Sequence, residues 1–131
     1  MATVRREIQI HSHPDRVWDV IRDVGAVHTR LAPGFVVNTQ LEENARLVTF
    51  ANGMVARELL VTIDEEARRL VYSVIGGSAT HHNASFQVFP EGDRISRLVW
   101  ITDILPHTVA PGFEAMIDAG CAAIHKALDN K

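Results

Sequence analysis

The stretch Pro106 to Lys131, PHTVAPGFEAMIDAGCAAIHKALDNK, decides how the rest of the chain is read. In it Phe113, Met116, Ile117, Gly120, Cys121, Ile124 and Leu128 recur at helical spacing, which predicts a long terminal helix with one apolar face. Small residues, Ala119, Gly120, Ala122 and Ala123, interrupt the bulky ones. Such a helix either lies very close to its partner or leaves a space beneath itself. That alternative separates a packed core from a ligand cavity.

The partner is set by what precedes the helix. Thr3 to Ile10 alternates, with Val4, Arg6, Ile8 and Ile10 against Thr3, Arg5, Glu7 and Gln9, and reads as a strand with one wet face. Ser12-His13-Pro14-Asp15 resembles a helix start, and Val17, Trp18, Val20, Ile21 and Val24 then share one helical face. Gly25 ends that helix. Ala26 to Leu31 leaves room only for a short second one before Pro33-Gly34 turns the chain.

Six strand-like segments follow: Phe35 to Leu41, Arg46 to Ala51, Met54 to Asp64, Arg69 to Ile75, Thr80 to Pro90 and Ile95 to Leu105. Polar or glycine-bearing turns separate them, with Asn52-Gly53 and Gly76-Gly77 the tightest. Short connections make successive strands antiparallel neighbours. The order is β-αα-β6-α without internal repeat or linker, which predicts an α+β fold over a single domain, residues 1–131.

Composition narrows the function classes. With 47% hydrophobic and 22% charged residues the chain can bury a real core. Its formal charge is −3 with basic residues scattered, so nucleic acid is not an expected partner. No apolar run approaches the roughly 18 residues of a membrane span, so no membrane insertion is expected. Met1 to Ile10 alternates and does not present a basic segment followed by an apolar block, and a cytoplasmic location is expected. Cys121 is the sole cysteine and lies on the helical stripe, as a buried structural thiol would. His11 and His13 are two apart with no third ligand in view, and no metal is expected. Phosphate-loop, G-x-S-x-G and H-E-x-x-H motifs are missing from the sequence, and no cofactor is expected.

The ordered set Ile8-Gln9-Ile10 with His13-Pro14-Asp15-Arg16-Val17-Trp18, Arg57-Glu58-Leu59 with Ile63-Asp64, Arg69-Leu70-Val71-Tyr72, Leu98-Val99-Trp100, and Pro106 before the last helix resembles the START and Bet v 1-like superfamily. That superfamily includes polyketide cyclases and dehydratases, lipid carriers and plant hormone receptors, and the likeness spans the chain. It implies a helix-grip fold, in which a curved seven-stranded antiparallel sheet wraps a long C-terminal helix around an apolar cavity. Position 13, where such proteins often carry a capping serine, holds histidine. Ser73-Val74-Ile75-Gly76-Gly77 is also similar to a gating loop of abscisic acid receptors, whereas Asn52-Gly53-Met54 and Ser78-Ala79-Thr80 do not match their gate and latch. Hormone reception is therefore not expected.

Candidate site residues follow from alternation where alternation is decisive. If Phe86 and Val88 face the core, so do Ala84 and His82, while His81, Asn83, Ser85 and Gln87 face out unless a bulge after Gly76-Gly77 turns His81 inward. For the Met54 strand the pattern slightly favours Arg57, Leu59, Val61 and Ile63 inward; the resemblance favours Glu58. A carboxylate in an apolar cavity would have its pKa raised and could donate or accept a proton near neutrality, and the alternative is a solvated Glu58 paired across strands with an arginine. Trp100 is assigned inward as an amphipathic cavity wall, and Asp103 is a catalytic acid or a turn residue.

Taken together, these readings predict binding of a small hydrophobic or aromatic molecule between sheet and terminal helix. The expected ligand contacts are His28, Tyr72, Asn83, Phe86, Trp100, Phe113, Met116 and Ile117. If cyclisation or dehydration of a polyketide-like substrate occurs, His82 or His81 acts as base and Glu58 as acid partner. Two alternatives stay open: a non-catalytic carrier, and an interaction module with a collapsed cavity. Homodimerisation is also left open.

Overall fold

A computed structural model describes residues 2–129. Strand β1 (Ala2–Ile10) starts the chain and buries Val4, Ile8 and Ile10 on one face. Helix α1 (Pro14–Arg22) begins where His13 Nδ1 accepts the Asp15 backbone N–H at 3.0 Å, so the imidazole does the work of a serine or aspartate cap. Val17, Trp18, Val20 and Ile21 are its buried face. A single π-helical turn, Val27–Leu31, follows, closed by the Ala32 N–H donating to the Val27 carbonyl at 2.9 Å. Gly25 sits between the two, where a Cβ would lie 2.9 Å from the exposed Leu41 side chain.

Six strands then run as β2 (Val36–Glu42), β3 (Ala45–Phe50), β4 (Val55–Asp64), β5 (Arg69–Ile75), β6 (His81–Gly92) and β7 (Ile95–Leu105). The sheet order is β1-β7-β6-β5-β4-β3-β2, antiparallel throughout, so the first strand closes beside the last and the meander fans outward to β2. Helix α2 (Ala110–Leu128) crosses the concave face of this curved sheet. Its inward residues Ile117, Gly120, Ile124 and Leu128 keep the spacing of the apolar stripe. Gly120 marks the closest approach, since a Cβ there would meet the Trp100 ring at 3.0 Å and Phe35 at 3.2 Å.

Two registers position the site. Pairing of β6 with β7 is unbroken from His81 to Pro90, so no bulge turns His81 inward. Pairing of β4 with β5 slips between Leu60 and Thr62. Before the slip Glu58 and Leu60 share the inner face with Val74 and Tyr72; beyond it Ile63 is opposite the fully buried Leu70. The inner face of β4 therefore changes parity along the strand, and neither single alternation describes it.

Candidate functional site

A cavity of about 120 Å³ lies between the sheet and α2. That is several times the roughly 10–15 Å³ a single water needs, so it admits a small molecule. Its floor is aromatic: Tyr72 stacks on Phe86 with centroids 6.1 Å apart, and Phe86 stacks on Trp100 at 4.7 Å. These three come from β5, β6 and β7, at positions made neighbours by the pairings Tyr72 with Ala84 and Phe86 with Trp100. Phe113, Met116 and Ile117 of α2 form the roof. The rim is apolar and accessible, with Met54 and Val55 at the start of β4, Ile75 at the end of β5, and Gly76 and Gly77 beyond it.

One wall carries a buried ion pair. Arg46 Nε donates to Glu58 Oε1 at 2.7 Å, with side chains only 3% and 9% exposed. Arg46 Nη1 reaches the Val24 carbonyl at 3.4 Å, and the guanidinium lies over the Tyr72 ring, 5.3 Å from its centroid. Glu58 thus faces inward against the alternation that favoured Leu59 and Ile63, and it pairs with an arginine that is buried with it. The solitary carboxylate expected of an apolar cavity is not what the structure contains. Arg46 escaped the sequence reading: a two-residue turn at Asn52-Gly53 sets Arg46 opposite Leu59, whereas the loop is three residues long, Ala51 to Gly53, closed by the Phe50 N–H donating to the Met54 carbonyl at 2.8 Å, and sets Arg46 opposite Glu58.

Burial, and then the Glu58 carboxylate, push the Tyr72 phenol far above its ordinary pKa, so it stays a hydrogen-bond donor. The Trp100 indole N–H lies near enough to favour the phenolate slightly but closes no bond of acceptable geometry, and is a buried unpartnered donor. His82 lines the cavity with its ring edge-on to Phe113, centroids 5.0 Å apart. Burial first, and His81 second, lower its pKa and hold it neutral.

Eight of the eleven expected site residues, His82, Glu58, Tyr72, Phe86, Trp100, Phe113, Met116 and Ile117, are on this cavity wall. Three are not. His81 and Asn83 project from the opposite face of β6, where His81 Nε2 contacts Asn83 Oδ1 at 2.6 Å and Asn83 donates to Asp103 at 3.2 Å. Asp103 also accepts from Thr3 at 2.8 Å, so it ties β1, β6 and β7 together on that outer surface. His28 sits on the π-helical turn outside the cavity wall, with Nδ1 buried and unpartnered, because a one-turn element gives no periodicity from which to orient it. His11 holds Asp129 at the end of α2 and His13 caps α1, so both have structural partners. Cys121 is half-buried, its thiol pushed up to about 11 by burial and by Asp118. Among the described residues no group of three His, Cys, Asp or Glu is arranged to hold a metal ion.

This hollow grip with its aromatic floor invites comparison with known proteins. The sequence profile of the family "Polyketide cyclase / dehydrase and lipid transport" matches residues 1–130. The chain belongs to this family. Solved structures agree on the fold. The protein XoxI from Bacillus cereus superposes with a TM-score of 0.86 at 20% identity, covering 98% of this chain and 96% of that one. A Thermobifida fusca protein shares 29% identity with a TM-score of 0.76 over 96% of this chain and 89% of its own. Norcoclaurine synthase from Thalictrum flavum has a TM-score of 0.71 at 20% identity, over 95% and 84%. No curated protein matches in sequence. The helix-grip architecture of START and Bet v 1-like proteins is thus the architecture of this polyketide cyclase/dehydrase-family chain. No helix among the described residues is long and apolar enough to cross a membrane.

Proposed function

We propose that the chain binds a small apolar or aromatic molecule in the cavity under α2. The observation that carries this reading is a cavity of about 120 Å³ with a stacked aromatic floor and a buried Arg46–Glu58 pair set into its wall. A buried ion pair is costly to desolvate and is often no more stabilising than apolar residues of the same volume. Its place beside empty apolar space fits recognition of a polar group on an otherwise apolar ligand. A collapsed interaction module has no use for such a space. The family's described activities, together with norcoclaurine synthase as a structural neighbour, support a ligand-handling role.

If chemistry follows binding, His82 is the base, because its neutral imidazole lines the cavity. Glu58 is better suited to holding Arg46 than to donating a proton, and His81 has no access from the outer face. A thermal-shift panel of aromatic ketones, phenols and fatty acids tests binding, since a ligand specific to the folded state raises apparent stability. Stabilisation by aromatic members and its loss in a variant with a filled cavity are expected; a flat panel defeats the reading. For any ligand turned over, His82→Gln should lower turnover far more than binding. Unchanged turnover leaves a carrier.

A further inference from the structure

Arg46 and Glu58 are the only Arg, Lys, Asp or Glu residues on the cavity wall among the described residues, and they neutralise each other through a 2.7 Å bond. Resting on the binding reading above, we propose that this pair is a charge filter: the site takes an electrically neutral aromatic molecule bearing a carbonyl or hydroxyl group and rejects its carboxylate counterpart. The bond engages Nε and Oε1, and Nη1 turns to Val24, so Nη2 and Oε2 are left for a ligand. A carbonyl oxygen can accept from Nη2 or from the Tyr72 hydroxyl, and a ligand hydroxyl can donate to Oε2, without bringing charge into the cavity.

A carboxylate meets a different balance. It gives up its hydration on entry and finds a guanidinium already neutralised. It can accept from Nη2, but to be neutralised it must draw Arg46 away from Glu58, which is 7% exposed and would be left as a buried, unpaired carboxylate. No second Arg or Lys lines the cavity to compensate, and burial disfavours the charged form of His82.

Calorimetric titration of the full chain with 2-acetonaphthone and 2-naphthoate at neutral pH tests the filter, the two probes sharing a bicyclic body and differing in charge. Wild type should bind the ketone at least about tenfold more tightly, a difference of the size a single well-placed polar interaction provides. Glu58→Gln, which frees Arg46, should reverse the order. Because that variant strands a buried arginine and can fail to fold, Val74→Lys serves as a second one. Val74 is opposite Glu58 in the β4–β5 pairing and lines the cavity, so the substitution keeps both members of the pair, gives the wall a net positive charge and should admit naphthoate. Naphthoate binding wild type as tightly as the ketone overturns the filter and leaves ligand binding standing. Failure of both probes to bind any of the three proteins overturns the filter and the binding reading together.

Discussion

Where β1 and β7 meet α1 and the last turn of α2, Ile10, Ile21, Leu98 and Leu128 are all at most 1% exposed; where the ends of β4 and β5 lie across the cavity from the first turns of α2, Met54, Val55 and Ile75 are at least 50% exposed. The closed end is also latched by polar contacts. Arg16 donates to the Leu128 carbonyl at 2.9 Å and to Ser12 at 2.8 Å, while Asp129 accepts the His11 backbone N–H at 2.6 Å. One helix therefore serves two purposes, anchoring by its C-terminal turns and roofing a hollow by its N-terminal ones, with Gly120 at the crossing. Stability and ligand handling should separate along it.

The largest expected effect lies on the hollow side and belongs to the exception there. Arg46→Ala leaves Glu58 buried without a partner and should cost about 3–5 kcal/mol, whereas the double replacement Arg46→Met with Glu58→Leu should recover most of that loss. Urea denaturation of the three proteins measures both, and equal losses in single and double variants would break the assignment of the pair to function over stability.

Next is the contrast along α2. Leu128→Ala at the closed end removes a fully buried side chain and should cost about 2–5 kcal/mol. Phe113→Ala, on the half-buried roof, should cost less than half as much and weaken ligand binding instead. Reversed magnitudes would show that the hollow end, not the latched one, holds the fold. A smaller effect is expected at the crossing. Gly120→Val pushes against Trp100 and Phe35, at an overpacking cost of about 1–3 kcal/mol, and should abolish ligand-induced stabilisation by closing the cavity.

The closed end was legible in the chain because its elements are regular. Alternation in β1, the apolar face of α1 and the stripe of α2 each name residues that the structure buries, and the turn signals bound the strands within one or two residues. The hollow end was harder, for identifiable reasons. The slip at Val61 shifts the parity of β4, so apolar Ile63 counted toward the face that excludes Glu58. The pairing partner Arg46 depends on the loop being Ala51 to Gly53 rather than Asn52-Gly53 alone, a one-residue difference that exchanges the faces and that alternation within one strand does not resolve. His81 and Asn83 were ranked with His82 on residue type although alternation anchored at Phe86 already placed them outside. Whether a hollow exists at all depends on side-chain volumes summed over elements far apart in sequence, and no local pattern carries that sum.

The smallest effect separates the two ends by pH. His82, at the hollow end, has its folded pKa lowered below 6.5, chiefly by burial. Between that lowered value and 6.5 the unfolded chain binds the proton and the folded chain does not, so stability should fall as pH drops through this window and level off beneath it. Above 6.5 the contribution is complete. Asp129, at the closed end, is also held below its ordinary value of 3.8, first by the His11 backbone N–H, so its contribution is complete above 3.8 and is lost only as pH falls below that. Denaturation across the mildly acidic range should therefore register His82 at the hollow end before the Asp129 carboxylate at the closed one. His82→Gln should flatten the profile there while leaving the loss at stronger acid in place. If the variant keeps the wild-type slope just below pH 6.5, another group sets the acid response, and His82 is not the desolvated imidazole of the cavity wall.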